Sequence, residues 1–144
     1  MNSKDNLQTV GFFRLIAAIF YDTLFVAAVL FFATLPLALI PEEIRFLQIT
    51  EALKVLWYLL VSYIYFAMFW LKGGQTAGMK PWRIKLVDMK NGKPGIKLVT
   101  IRFFAAILSW ALAGLGFLWM IVDSDHYSLH DRISSSKLVL VEKS

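Results

Sequence analysis

The chain has 144 residues, of which 58% are hydrophobic and only 17% charged, with a formal net charge of +5. A soluble domain is usually about a quarter charged, and the apolar residues here are gathered into runs too long for the modest core of so short a chain. The composition therefore argues against a soluble globular domain, and the absence of cysteine excludes disulfides and thiolate chemistry without fixing a redox compartment.

Residues 1–11 are polar and short, with Phe12 and Phe13 as aromatic anchors where the first apolar run begins. From Leu15 to Ile40 the only charged residue is Asp22. A spanning helix needs about 20 apolar residues to cross about 30 Å of hydrocarbon, so a first helix is predicted near 13–39. Pro36 kinks it or marks its last turn, because proline lacks the amide hydrogen and clashes one turn back. The run is too long for a secretory h-region, and two more follow, which reads against a signal peptide. Pro41 and Glu42 open a short external connection.

A second helix is predicted near 52–71, where Val55 to Leu71 carries no charge. Trp57 and Trp70 fit the aromatic belts at the two headgroup levels. Tyr63 and Tyr65 lie deeper, either as packing aromatics or with hydroxyls lining an internal polar path.

The loop 72–100 opens with Lys72-Gly-Gly-Gln-Thr-Ala-Gly78, which lacks the spacing of a nucleotide-binding loop and reads as a turn. Residues 83–89 alternate loosely, and Asn91-Gly-Lys-Pro-Gly95 has strong turn composition. Ile96, Leu98 and Thr100 read as a returning strand, so the loop is expected to hold a small β-hairpin. A third helix is predicted near 101–122, uncharged from Phe103 to Val122. Ala105, Ser109 and Ala113 form a small-residue stripe on it that suits close helix packing. A polar tail, 123–144, completes a single-domain all-α membrane protein with three transmembrane helices.

Charge sets the expected topology. Lys72 to Arg102 holds eight basic residues and one acid, net +7, whereas the loop before the second helix and the tail are each net −1. The positive-inside rule places the basic loop and the N-terminus in the cytoplasm, and three spans place the tail outside. Gly114 and Gly116 interrupt the third run and keep a re-entrant alternative open. The expected location is the cell inner membrane, multi-pass. Topology and anionic headgroups account for the basic loop, so no nucleic-acid partner is expected.

Asp22 is the most informative residue. A charge at the centre of a bilayer helix costs about 2.5–3.5 kcal/mol on insertion scales, so it should face protein or water. Arg14 lies eight residues earlier, roughly 12 Å along the axis, too far for an ideal direct pair. Each therefore needs a partner from another helix or from the tail. Asp22 is either an ion- or proton-binding carboxylate in a transport path or a buried hydrogen-bonding anchor between helices. Burying it within three helices favours a homo-oligomer or a membrane-protein partner. His126 and His130, beside Asp125 and Asp131, lack a third convergent ligand, so neither metal nor cofactor is expected. No nucleophile stands with a base, and the chain is not read as an enzyme.

The sequence resembles the RDD family of small bacterial membrane proteins. Arg14 and Asp22, in Gly11-Phe-Phe-Arg-Leu-Ile-Ala-Ala-Ile-Phe-Tyr-Asp22, look like that family's arginine and first aspartate. Gly73-Gly-Gln-Thr-Ala-Gly-Met-Lys80, running on to Asp88, looks like its glycine-rich loop. Leu129-His-Asp-Arg-Ile133 looks like its closing signature, with Asp131 as the second aspartate and Asp123 the lesser candidate. Where members often carry a glycine-threonine step, this chain has Ser134-Ser-Ser136. The resemblance implies transport of a small solute or cation–proton exchange, or else a non-catalytic structural or accessory part of a membrane assembly.

Overall fold

The computed structural model describes residues 10–45, 47–90, 92–111 and 133–141. Helix α1 runs Phe12–Ala33 and passes into a 3₁₀ segment, Leu35–Leu39, at Pro36. The short α2, Glu42–Arg45, leads to α3, Gln48–Gly73. Strand β1 is Ile84–Asp88, α4 is Ile96–Ala111 and β2 is Ser136–Leu140.

Phe12–Leu39 and Gln48–Gly73, 28 and 26 residues long, are long and apolar enough to cross a membrane. At about 1.5 Å per residue both exceed the roughly 30 Å of hydrocarbon. Their far halves bury little against the chain itself: Phe31, Phe32 and Ile49 are each about two-thirds exposed. The connection between them is closed by side chains on backbone carbonyls, which loops at a membrane surface otherwise leave to water. Arg45 donates to Ile40 at 2.9 Å, Thr50 to Ile44 at 2.7 Å, and Lys54 to Arg45 at 3.0 Å. Trp57 donates its indole N–H to the Ala33 carbonyl at 2.9 Å, tying α3 to the end of α1.

The core lies at the opposite end. Leu15 and Ala18 of α1, Ala67 and Trp70 of α3, Met79, Ile84 and Leu86, Leu98, Val99 and Phe103 of α4, and Leu138 of β2 form one buried cluster. Trp70 is therefore a core residue, not a belt residue, with 7% exposure.

Two expectations are corrected. Gly92 N–H donates to the Asp88 carbonyl at 2.9 Å, but residues 96–100 begin α4 and are not a strand. Leu98, Val99, Arg102 and Phe103 are buried together, the three-and-four spacing of a helix face, which overrides the short alternation at 96, 98 and 100. The partner of β1 is instead β2, antiparallel, with Ile84 opposite Leu140 and Asp88 opposite Ser136. A backbone ladder cannot be drawn across a bilayer, so the tail lies on the same side as the basic loop, not the opposite one. Residues 112–132, which include the rest of the third helix predicted near 101–122, lie outside the described residues.

The ladder is entered through Ser135, at φ 53°, and Arg83, at φ 56°, conformations that cost a residue with a Cβ about 1 kcal/mol or more. The turn into β2 is thus made with serine at a φ that glycine would adopt without that cost. The chain lacks cysteine, so single-cysteine variants report topology cleanly. Lys93→Cys and Val141→Cys are expected to react with a membrane-impermeant maleimide from the same side, and Leu47→Cys from the other. Labelling of positions 93 and 141 from opposite sides would refute the ladder.

Candidate functional site

Asp22 sits on the inward face of α1 with Leu15 and Ala18, the buried positions of that helix. Its carboxylate accepts three hydrogen bonds: from Thr76 Oγ1 at 2.5 Å, from the Gly78 backbone N–H at 2.9 Å and from Tyr65 Oη at 3.2 Å. Asp22 is 7% exposed and Thr76 is fully buried. A low-dielectric surrounding strengthens each of these bonds and makes each donor costly to orphan.

The segment after α3 is shaped to deliver those donors. Gly74 caps α3 in the left-handed conformation, φ 69°, its N–H bonding the Trp70 carbonyl. Thr76 Oγ1 also accepts from Met79 N–H at 3.2 Å, and Gln75 Nε2 donates to the Ile84 carbonyl at 2.8 Å. Gly78 is pressed onto α1: a Cβ there would meet the Ala18 carbonyl oxygen at 2.5 Å and the Asp22 nitrogen at 2.6 Å. Only glycine allows this approach.

A second buried polar group ties α4 to the sheet. Arg102 Nη1 donates to Ser136 Oγ at 2.7 Å, Ser134 and Ser136 hydroxyls are 2.7 Å apart, and the guanidinium stacks 5.5 Å from the Trp70 ring centroid. Between the two polar groups, α1, α3 and α4 border a half-open cavity of about 480 Å³ lined by Asp22, Thr76 and Arg102 and otherwise mainly by apolar side chains such as Ile19, Phe66 and Phe103.

Of the residues singled out in the sequence, Asp22 is at the centre of the site. Arg14 is exposed and has no hydrogen bond or ion pair among the described residues, so it is not brought to Asp22. Asp131, Asp123, Asp125, His126, His130 and Ala113 lie outside the described residues. Ala105 and Ser109 are buried. Among the described residues no three His, Asp or Glu side chains converge for a metal.

Sequence reasoning missed Thr76, Gly78, Arg102, Ser134 and Ser136, and left Tyr65 undecided. One signal was available: glycine, threonine and glycine packed into 74–78 supply a small backbone and a hydroxyl, the equipment for gripping a buried carboxylate. Nothing local marks Arg102, whose partner is 34 residues away.

The chain matches the family model described as the RDD family over residues 9–135. No curated protein and no solved structure matches it.

Removing the acceptor should be far worse than neutralising it. Asp22→Ala orphans three donors, each at about 1–3 kcal/mol, and is expected to destabilise by at least ~3 kcal/mol. Asp22→Asn keeps the shape, and its amide can donate to Thr76 Oγ1 while its carbonyl accepts from Gly78, so the loss should be under half as large. Gly78→Ala should match Asp22→Ala, because its Cβ has no space. Thermal unfolding in detergent orders the three; equal losses for the Asn and Ala variants would contradict the geometry.

Proposed function

This chain belongs to the RDD family, and on that premise we propose that it serves as a non-catalytic structural or accessory subunit of a membrane assembly. With two helices long and apolar enough to cross a bilayer, it is an integral membrane protein. Our reading places it in the cell inner membrane, multi-pass, with the N-terminus, the 72–100 segment and the paired tail strand in the cytoplasm. The excess of basic residues over 72–102 supports that orientation.

The observation that carries the accessory reading is the engagement of Asp22. Both of its oxygens already take donors, two of them hydroxyls and one a backbone N–H. Three of the carboxylate's roughly four lone-pair sites carry donor hydrogens, and exchanging those donors for a cation would release the 74–83 segment from α1. The carboxylate so held is an anchor. The large apolar surface left on the far halves of α1 and α3 suits lipid and a second copy or another membrane protein as neighbours.

A second reading rests on the cavity. Asp22 and Thr76 line a space of about 480 Å³, within the range that holds small ligands. This favours transport of a small solute or cation–proton exchange, with Asp22 as the exchanging group.

Purified protein in proteoliposomes, with a pH gradient imposed and internal pH read by dye, separates the two. The accessory reading expects no proton flux above empty vesicles with sodium, potassium or lithium outside. Cation-dependent flux that disappears in a folded Asp22→Asn variant would replace it with exchange. Cross-linking in native membranes should also trap a species larger than the monomer, and a monomer at every expression level would count against a subunit role.

A further inference from the structure

We propose that the half-open cavity bordered by α1, α3 and α4 binds an apolar molecule bearing a single hydroxyl, whose O–H donates to the one open acceptor site of Asp22. The two carboxylate oxygens are not equivalent. Oδ1 accepts from both Tyr65 and the Gly78 N–H, whereas Oδ2 accepts from Thr76 alone. Each carboxylate oxygen has about two lone-pair sites, so the remaining site is on Oδ2. Thr76 stands on the cavity wall with Asp22, and Tyr65 and Gly78 do not. Oδ2 is thus the oxygen on the cavity side.

The count of donors selects the ligand. The hydroxyls on the wall are committed: Thr76 Oγ1 also accepts from Met79 N–H at 3.2 Å, and Thr23 Oγ1 donates to the Ile19 carbonyl at 2.8 Å. A ligand hydroxyl brings one donor to one site. An ammonium brings three, and two of them would be stranded in a mainly apolar space. Arg102 on the same wall repels it further. A carboxylate brings no donor and meets the Asp22 charge. Unlike a cation, the hydroxyl completes the carboxylate without displacing Thr76, Gly78 or Tyr65, so the site is compatible with Asp22 as an anchor and requires no transport.

The rest of the wall sets the body of the ligand. On α1 it runs from Leu15 to Leu30, roughly 22 Å at about 1.5 Å per residue, which is most of the roughly 30 Å of hydrocarbon. Ile19, Val26, Phe66, Phe103 and Ile107 supply its sides. An apolar body therefore lies along α1 with its hydroxyl at Asp22, and the open side of the cavity admits it from the bilayer, where such molecules concentrate. The volume of about 480 Å³ is within the range of small-ligand sites.

Octanol brominated at its far end, and the methyl ether of the same compound, test the site. Each is titrated into the detergent-purified protein, and the saturable part of tryptophan quenching is read, Trp70 being on the cavity wall. The alcohol should bind roughly tenfold or more tightly than the ether, the discrimination given by one hydrogen bond to a charged acceptor. Asp22→Asn, with its amide nitrogen on the Thr76 side, turns the open acceptor into a donor. In that variant the alcohol should lose its advantage, and the ether should bind as well or better. Partition into the micelle is common to parent and variant and cancels in the comparison. Equal binding of the two compounds by the parent, an alcohol preference that survives Asp22→Asn, or quenching with no saturable part would each overturn the site. Tighter binding of the matching brominated amine would overturn the choice of a hydroxyl. Should Asp22→Asn not fold, Ala106→Leu, which fills the cavity from α4, decides: loss of saturable alcohol binding supports the site, and undiminished binding refutes it.

Discussion

The grip of Thr76, Gly78 and Tyr65 on the Asp22 carboxylate is the constraint from which the rest of the structure follows. It joins α1, α3 and the segment after α3 through one acceptor. With Gly78 pinned to α1, Met79 enters the core and its carbonyl receives Ile84 N–H at 3.1 Å, which starts β1. The Leu86 N–H then bonds the Gly74 carbonyl at 2.7 Å, closing the segment on itself. β2 docks on β1, and Ser136 at its start takes the Arg102 guanidinium, which fixes α4. Without the carboxylate, three buried donors lose their acceptor and the base of the molecule loses its first fixed point.

The molecule is accordingly divided. One end is packed like a soluble domain, with Ile84, Leu86 and Val99 fully buried. The other end is a helical hairpin held by a few side-chain-to-carbonyl bonds, its apolar surface left to surroundings of similar polarity. Lipid is as apolar as leucine, so such a hairpin gains little by burying itself further. The division places the cavity at the boundary, where packed core gives way to bare hairpin, and there Asp22, Thr76 and Arg102 all reach its wall.

Much of this was legible beforehand. Uncharged runs longer than a soluble core helix requires mark membrane helices whatever the fold, and α1 and α3 appear where those runs lie. Asp22 stood out because a lone charge in such a run must be accommodated. What was not legible is local ambiguity resolved at a distance. Residues 96–100 suit a strand or a helix over so short a stretch, and the choice fell to helix because Leu98, Val99 and Phe103 join one core. Trp70 has the position of a belt residue but is covered by Arg102.

The sequence by itself determined that the chain is a membrane protein, roughly where α1 and α3 lie, which loop is basic, and that Asp22 needs a partner, because hydrophobic length and the cost of a buried charge are properties of single segments. Tertiary structure alone decided that the partners are Thr76, Gly78 and Tyr65 and not Arg14, that β1 pairs with the tail, and that the tail therefore shares a side with the basic loop. Those are contacts across 43 to 56 residues, and a buried acceptor's partners are whichever donors the packed chain brings within hydrogen-bonding distance, not those set by spacing along the chain.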